Sequence, residues 1–172
     1  MNSISDMCYN VPGEPIYGQF TTNSIKTIAK NIDLASNNGL VVDLGSGSCV
    51  TLCTLVDNIH GATGGVGIEV SSTRHFIASA MLNIRSPEIP PVKSVYMDLM
   101  NLESLPVNTS VVFSFDKAFV PTLLAHMKNL IDKCQSVTYV ISTQKALLGW
   151  NYIGVKARTQ GGQTFTTYVF KK

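Results

Sequence analysis

The chain has no apolar run approaching the roughly 20 residues that cross a bilayer. Its first residues, Met1-Asn2-Ser3-Ile4-Ser5-Asp6, offer neither a basic start nor an apolar stretch. Neither a membrane span nor a signal peptide is therefore expected. Cysteine is sparse: Cys8, Cys49, Cys53 and Cys134 contain no C-x-x-C pair, and the three histidines show no ligand spacing. No metal site is expected, and the thiols fit an intracellular compartment, nuclear or cytoplasmic. Charged residues make up only 14% against 45% hydrophobic, a compact rather than a disordered composition. With 172 residues there is room for one core, so residues 1–16 are expected as an extension or lid and 17–172 as one domain. Acids are nearly absent late in the chain. From Lys117 onward eight Lys and Arg face the single acid Asp132, a balance of +7, whereas residues 1–116 carry five basic and ten acidic residues, a balance of −5. That asymmetry is either an ordinary solubilising surface or a basic face for an acidic partner such as nucleic acid or a nucleosome.

What the chain does have is alternation of β-branched runs with helical stretches, the pattern of an α/β fold with a largely parallel sheet. Thr22 to Ala35 carries a helical stripe of Ile25, Ile28, Ala29 and Ile32. Gly39 to Leu44 predicts a first strand buried on both faces, Cys49 to Ile59 its following helix, and Gly65 to Val70 a second strand. Ser71 or Ser72 caps a helix to about Asn83. Ser86 to Pro91 is a proline-rich loop; Lys93–Met97, Ser110–Phe115 and Ser136–Ser142 predict three more strands, with a helix from Pro121 to Lys133. The end differs in kind: Trp150–Thr159, Gly161-Gly162 and Gln163–Phe170 predict an antiparallel hairpin.

Chemistry concentrates at strand ends. Asp43-Leu44-Gly45-Ser46-Gly47 turns from a strand into a helix, and Gly45 and Gly47 allow backbone amides to approach a ligand where a Cβ would collide. Phosphate or carboxylate could use those donors. No Gly-Lys-Ser/Thr follows, and Val50 stands where a dinucleotide fingerprint needs its third glycine. An acid before the glycines instead suits a zwitterionic amino acid, with Asp43 near its ammonium. Glu69 ends the second strand 22 residues after Gly47, where an acid accepts ribose hydroxyls. Asp98 ends the third strand; it either accepts from an adenine amino group, with Leu99 or Met97 against the ring, or caps the turn after it. In Ser114-Phe115-Asp116-Lys117-Ala118-Phe119, Asp116 and Phe119 either orient and enclose an amine or open the next helix.

Five strand–helix units closed by a hairpin resemble the class I methyltransferases, which implies a Rossmann-like seven-stranded, mostly parallel sheet with helices on both faces and S-adenosylmethionine as cofactor. More narrowly, the residues resemble the histone-lysine methyltransferases of the disruptor of telomeric silencing type. Tyr17-Gly18-Gln19-Phe20-Thr21 is similar to that family's Tyr-Gly-Glu-x loop, with Gln19 in place of the acid. Asp43 to Gly47, Gly67-Ile68-Glu69, Asp98-Leu99 and Val111 to Phe119 are similar to its later motifs, while Cys49 replaces a third glycine and Lys117-Ala118 a pair of prolines found in many N-methylating enzymes. The resemblance implies cofactor contacts from Tyr17, Gly18, Gln19, Thr21, Asp43, Gly45, Ser46, Gly47, Glu69, Asp98, Leu99, Ser114 and Phe115. It also implies a lysine channel walled by Tyr17, Phe119 and Phe165, with Asp116 as the orienting acceptor. A narrow apolar channel favours the neutral amine that methyl transfer needs. The expected substrate is protein lysine, with histone or nucleosome as partner and weak nucleic-acid contact through the basic half. The rival expectations are a small methyltransferase acting on RNA or a small molecule, and an inactive cofactor-binding module.

Overall fold

The computed structural model describes residues 18–34 and 38–172. The extension at 1–16 and Tyr17 lie outside the described residues. Thr21 opens α1 (Thr22–Ala29), its Oγ1 accepting the Ser24 N–H at 3.3 Å. Ile25, Ile28 and Ala29 form the buried face of α1. The helix stops at Ala29, short of the expected Ala35, because the chain turns at Lys30 and Asn31 to bring Ile32 and Leu34 into the core. Spacing does not distinguish those alternatives, since Ile32 follows Ile28 by four residues either way.

The remaining elements alternate: β1 (Gly39–Leu44), α2 (Val50–Asn58), β2 (Ala62–Glu69), α3 (Ser72–Leu82), β3 (Val92–Tyr96), a 3-10 turn (Leu99–Asn101), β4 (Thr109–Phe113), α4 (Pro121–Lys133), β5 (Tyr139–Ser142), β6 (Asn151–Arg158) and β7 (Thr164–Lys171). They build one seven-stranded sheet in the order β3-β2-β1-β4-β5-β7-β6. The first five strands are parallel, and β7 runs antiparallel to both β5 and β6. The period of two divides each central strand between two cores. Val41, Val111, Phe113 and Ile141 pack with Ile25, Ile28, Leu52 and Leu55 on the face of α1 and α2. Val42, Leu44, Val112 and Val140 pack with Met127, Leu130 and Ile131 of α4 on the other.

Strand order reverses between β1 and β4. The connections leaving those neighbours run in opposite directions, which opens a crevice at their carboxyl ends, the usual ligand position in an open α/β sheet. Among the described residues no helix is long and apolar enough to cross a membrane, and no group of three or more His, Cys, Asp or Glu could hold a metal ion.

Candidate functional site

Asp43 stands at the end of β1, paired in register with Gly67 of β2 on one side and Phe113 of β4 on the other. It is 1% exposed, and its Oδ1 has no hydrogen-bond partner. Burial, and then the negative charge of Glu69, hold its carboxyl well above the ordinary aspartate range. A buried, unpaired carboxylate oxygen is costly unless something cationic meets it. Beside it lies a small cavity of ≈ 10 Å³, lined by Gly18, Phe20, Asp43, Gly45, Ser46, Thr51, Phe113 and Phe115. That volume holds about one water.

Gly45 turns the chain at φ 99°, where an L side chain would be strained. The Gly45 and Ser46 N–H groups both donate to Ile68 O, at 2.9 and 3.0 Å. Gly47 N–H donates to Glu69 Oε2 at 2.7 Å. These amides are turned onto β2 rather than toward a ligand. Cys49, in the place of the third glycine, sits at φ 62° with no side-chain cap on α2. Its buried thiol is pushed up to about 12, chiefly by burial.

Glu69 holds the loop together from β2. Besides Gly47, its Oε1 accepts the Ser71 N–H at 2.8 Å and lies 3.7 Å from Arg74 Nη1, a residue only 5% exposed. Sequence reading missed Arg74, because one turn into a capped helix an arginine is ordinarily solvated. Glu69 is the expected acceptor for ribose hydroxyls; here it also staples the loop, with further acceptor capacity on each oxygen.

On the β4 side, Ser114 Oγ donates to Leu44 O at 2.9 Å, tying the ends of β4 and β1. Phe115 packs edge-on against Phe20 and Phe165, at 4.9 and 5.6 Å between ring centroids, and leaves no room for a side chain at Gly18. Gln19 is buried, and its carbonyl accepts the Gln160 N–H at 2.9 Å. Thr21, an expected cofactor contact, spends its hydroxyl at the start of α1, donating to Ser24 Oγ and accepting the Ser24 N–H. Asp98 is exposed and accepts the Met100 N–H at 2.9 Å, the capping geometry, while Leu99 is buried beneath it in the α4-side core.

The segment expected to act on an amine is differently placed. Asp116 is fully buried and accepts from Ser142 Oγ, from Thr143 N–H at 2.8 Å and from Thr143 Oγ1. Burial raises its carboxyl pKa while these bonds pull it down. The carboxylate ties β4 to β5 and does not line the cavity, so the structure does not present it as an open acceptor. Phe119 lies over Gly45, 3.1 Å from where a Cβ would stand, and packs on the α4-side core. Phe165 packs on the opposite core. The two rings thus belong to different core clusters.

The strand order, the single reversed strand and acids ending β1 and β2 define the fold of a class I methyltransferase. The fold is similar to that of magnesium protoporphyrin IX methyltransferase from Synechocystis PCC 6803 with bound SAM, at 14% identity and a TM-score of 0.63, covering 88% of this chain and 78% of that one. It is also similar to the 23S rRNA methyltransferase ErmE, at 10% identity and a TM-score of 0.61, covering 90% and 70%. The methyltransferase domain of bacterial CtHen1-C matches at 15% identity and a TM-score of 0.63, covering 88% of this chain and 98% of that domain. No protein-family model and no curated protein matches the sequence. At these identities the likeness is one of fold. None of the three is described as a protein-lysine methyltransferase, and the narrower resemblance to the histone-lysine family is not supported.

Proposed function

We propose that this chain is an S-adenosylmethionine-dependent methyltransferase whose acceptor is RNA. The observation that carries the cofactor reading is Asp43, a buried carboxylate with an unpaired oxygen beside a cavity at the β1/β4 crevice. The residues fit the group. Asp43 meets the ammonium of the methionine moiety, and Thr51, on the first turn of α2, offers its hydroxyl and the positive end of the helix to the carboxylate. Glu69 accepts the ribose hydroxyls, and Asp98 with Leu99 borders the adenine. Bound there, S-adenosylmethionine supplies a methyl group on a sulfonium, ready for in-line displacement.

The chain's own work is alignment and exclusion of water. Phe119 over Gly45 and Phe115 beside Gly18 shield the crevice. Asp116, through Ser142 and Thr143, fixes the loop that carries Phe119 and is a positioning residue. RNA is favoured over a histone lysine because Phe119 and Phe165, two walls expected for a lysine channel, pack on different cores and residues 117–172 are strongly basic. An rRNA methyltransferase among the similar structures agrees with that choice.

Calorimetry with S-adenosylmethionine and S-adenosylhomocysteine tests the cofactor; no heat with either sinks the reading. Tritiated cofactor offered separately with total RNA, histones and a small-molecule extract tests the acceptor. Label in RNA is the expected result. Label confined to histones or to small molecules overturns it.

A further inference from the structure

We propose that the α4-side face of the β6–β7 hairpin binds single-stranded nucleic acid. The inference builds on the RNA-acceptor reading, but its test needs neither cofactor nor methyl transfer.

Among the described residues no helix covers this face. β5 ends at Ser142 and β6 begins at Asn151, and the residues between form only turns and bends. On the α4 side the described helical elements are α4 and the short 3-10 turn, and their core takes Phe170 from β7 and no fully buried residue from β6. The opposite face of the hairpin is covered at its Arg158 end, where Ala157 and Val169 join the α1–α2 core and Ser24 of α1 bonds both the N–H and the carbonyl of Arg158, while Ile153 nearer Asn151 stays exposed.

Register fixes what the open face presents. Tyr152, Gly154, Lys156 and Arg158 of β6 pair with Phe170, Tyr168, Thr166 and Thr164, so all of these point the same way. Tyr152 is 41% exposed and meets Tyr168 edge-on at 5.4 Å. Lys145 extends its ammonium to 5.8 Å from the Tyr152 ring. Lys156 donates to Thr166 Oγ1 at 2.8 Å, which holds it along the strip. Tyr168 is level with Ser142, the last residue of β5, so Lys156 and Arg158 lie beyond the carboxyl end of β5, on the side of the crevice. The strip from Tyr152 to Arg158 is about 20 Å long.

Rings interleaved with cations suit unstacked bases on a phosphate chain, since every base offers a π-face and every phosphate a charge. The charge is complementary: residues 143–172 hold five Lys and Arg and no acid, and Asp132, the sole acid after Lys117, is paired with Lys128 on α4. A duplex keeps its bases stacked and gains nothing from exposed rings on a flat strip. An acidic peptide matches the lysines but not the rings.

Fluorescence anisotropy of the full chain, without cofactor, with a labelled RNA of about twelve nucleotides and with its duplex at about 50 mM salt tests this. The single strand is expected to bind more tightly than the duplex. Tyr152→Ala should weaken binding at least about fivefold with an unchanged salt slope, and Tyr152→Phe should retain it. Lys145→Gln and Lys156→Gln should each lower the log–log salt slope by about 0.7. Because Tyr152 is a surface residue, its variant is expected to fold, which a thermal melt verifies. Equal or tighter binding of the duplex, indifference to Tyr152→Ala, or tighter binding of poly-glutamate overturns the proposal. Such a result beside a normal calorimetric response to S-adenosylmethionine leaves the cofactor reading intact, and the reverse pattern leaves the nucleic-acid face intact.

Discussion

Asp43 shows how one side chain trades stability for binding. Its carboxyl is buried and its pKa is raised, first by burial and then by Glu69, so between the ordinary pKa near 3.9 and the raised one the folded state holds a proton that the unfolded state has lost. Stability contributed by this group is greatest below about pH 4 and falls as pH climbs through that window. Asp43→Asn removes the dependence. The ligand-free variant should melt a few degrees higher than the parent at neutral pH and lose the downward slope in a series of melts. The same change removes the charge that meets an ammonium. Affinity for S-adenosylmethionine should fall roughly ten- to a hundredfold, the value of a hydrogen bond to a charged group. A variant that is both less stable and equally tight-binding would contradict this account.

At the scale of elements, the glycine loop is held from beneath by β2. A Cβ on Gly67 would meet Ser46 Oγ at 2.5 Å, Ser46 Cβ at 2.6 Å and Cys49 Sγ at 2.9 Å. Gly67→Ala must therefore lift the loop and strain its bonds to Ile68 O and Glu69. Overpacking of this kind costs about 1–3 kcal/mol. Chemical denaturation should show that loss, and cofactor affinity should fall with it; unchanged affinity would mean that the loop's seat on β2 is irrelevant to the site. This dependence also marks what was legible in the sequence. The acid–glycine run, Glu69 and the terminal hairpin were readable because each is written in adjacent residues. The partners of Asp116 lie 26 and 27 residues away at Ser142 and Thr143, and the sink for the loop amides is the carbonyl of Ile68. Neither relation leaves a local pattern. β5 begins at Tyr139 rather than Ser136 for a similar reason: the Ser136 and Thr138 hydroxyls bond β4 carbonyls before regular pairing starts.

At the scale of the whole molecule, the described residues leave only a small cavity beside Asp43. A cofactor-sized ligand fills a pocket of about 300–1,000 Å³, whereas the cavity beside Asp43 is ≈ 10 Å³. Space must come from parts that yield, and the strand ends are not among them. Ser114 bonds Leu44, and Gly45 and Ser46 bond Ile68. The parts expected to yield are the Gly18–Phe20 segment, the Phe115 ring packed against it and Phe119 over Gly45. Opening this cluster separates aromatic contacts and exposes apolar surface, which costs free energy before any contact with the ligand is made. Association should then be slower than about 10⁵ M⁻¹s⁻¹, the lower end for binding without rearrangement. In stopped-flow, the observed rate should level off as cofactor concentration rises. Hydrogen exchange should change on binding around residues 18–21 and 115–119, while Val41–Asp43, buried and doubly paired in the sheet centre, stays as it was. Fast, linear association with no change at either segment would mean that the crevice admits its ligand without moving Phe115 or Phe119.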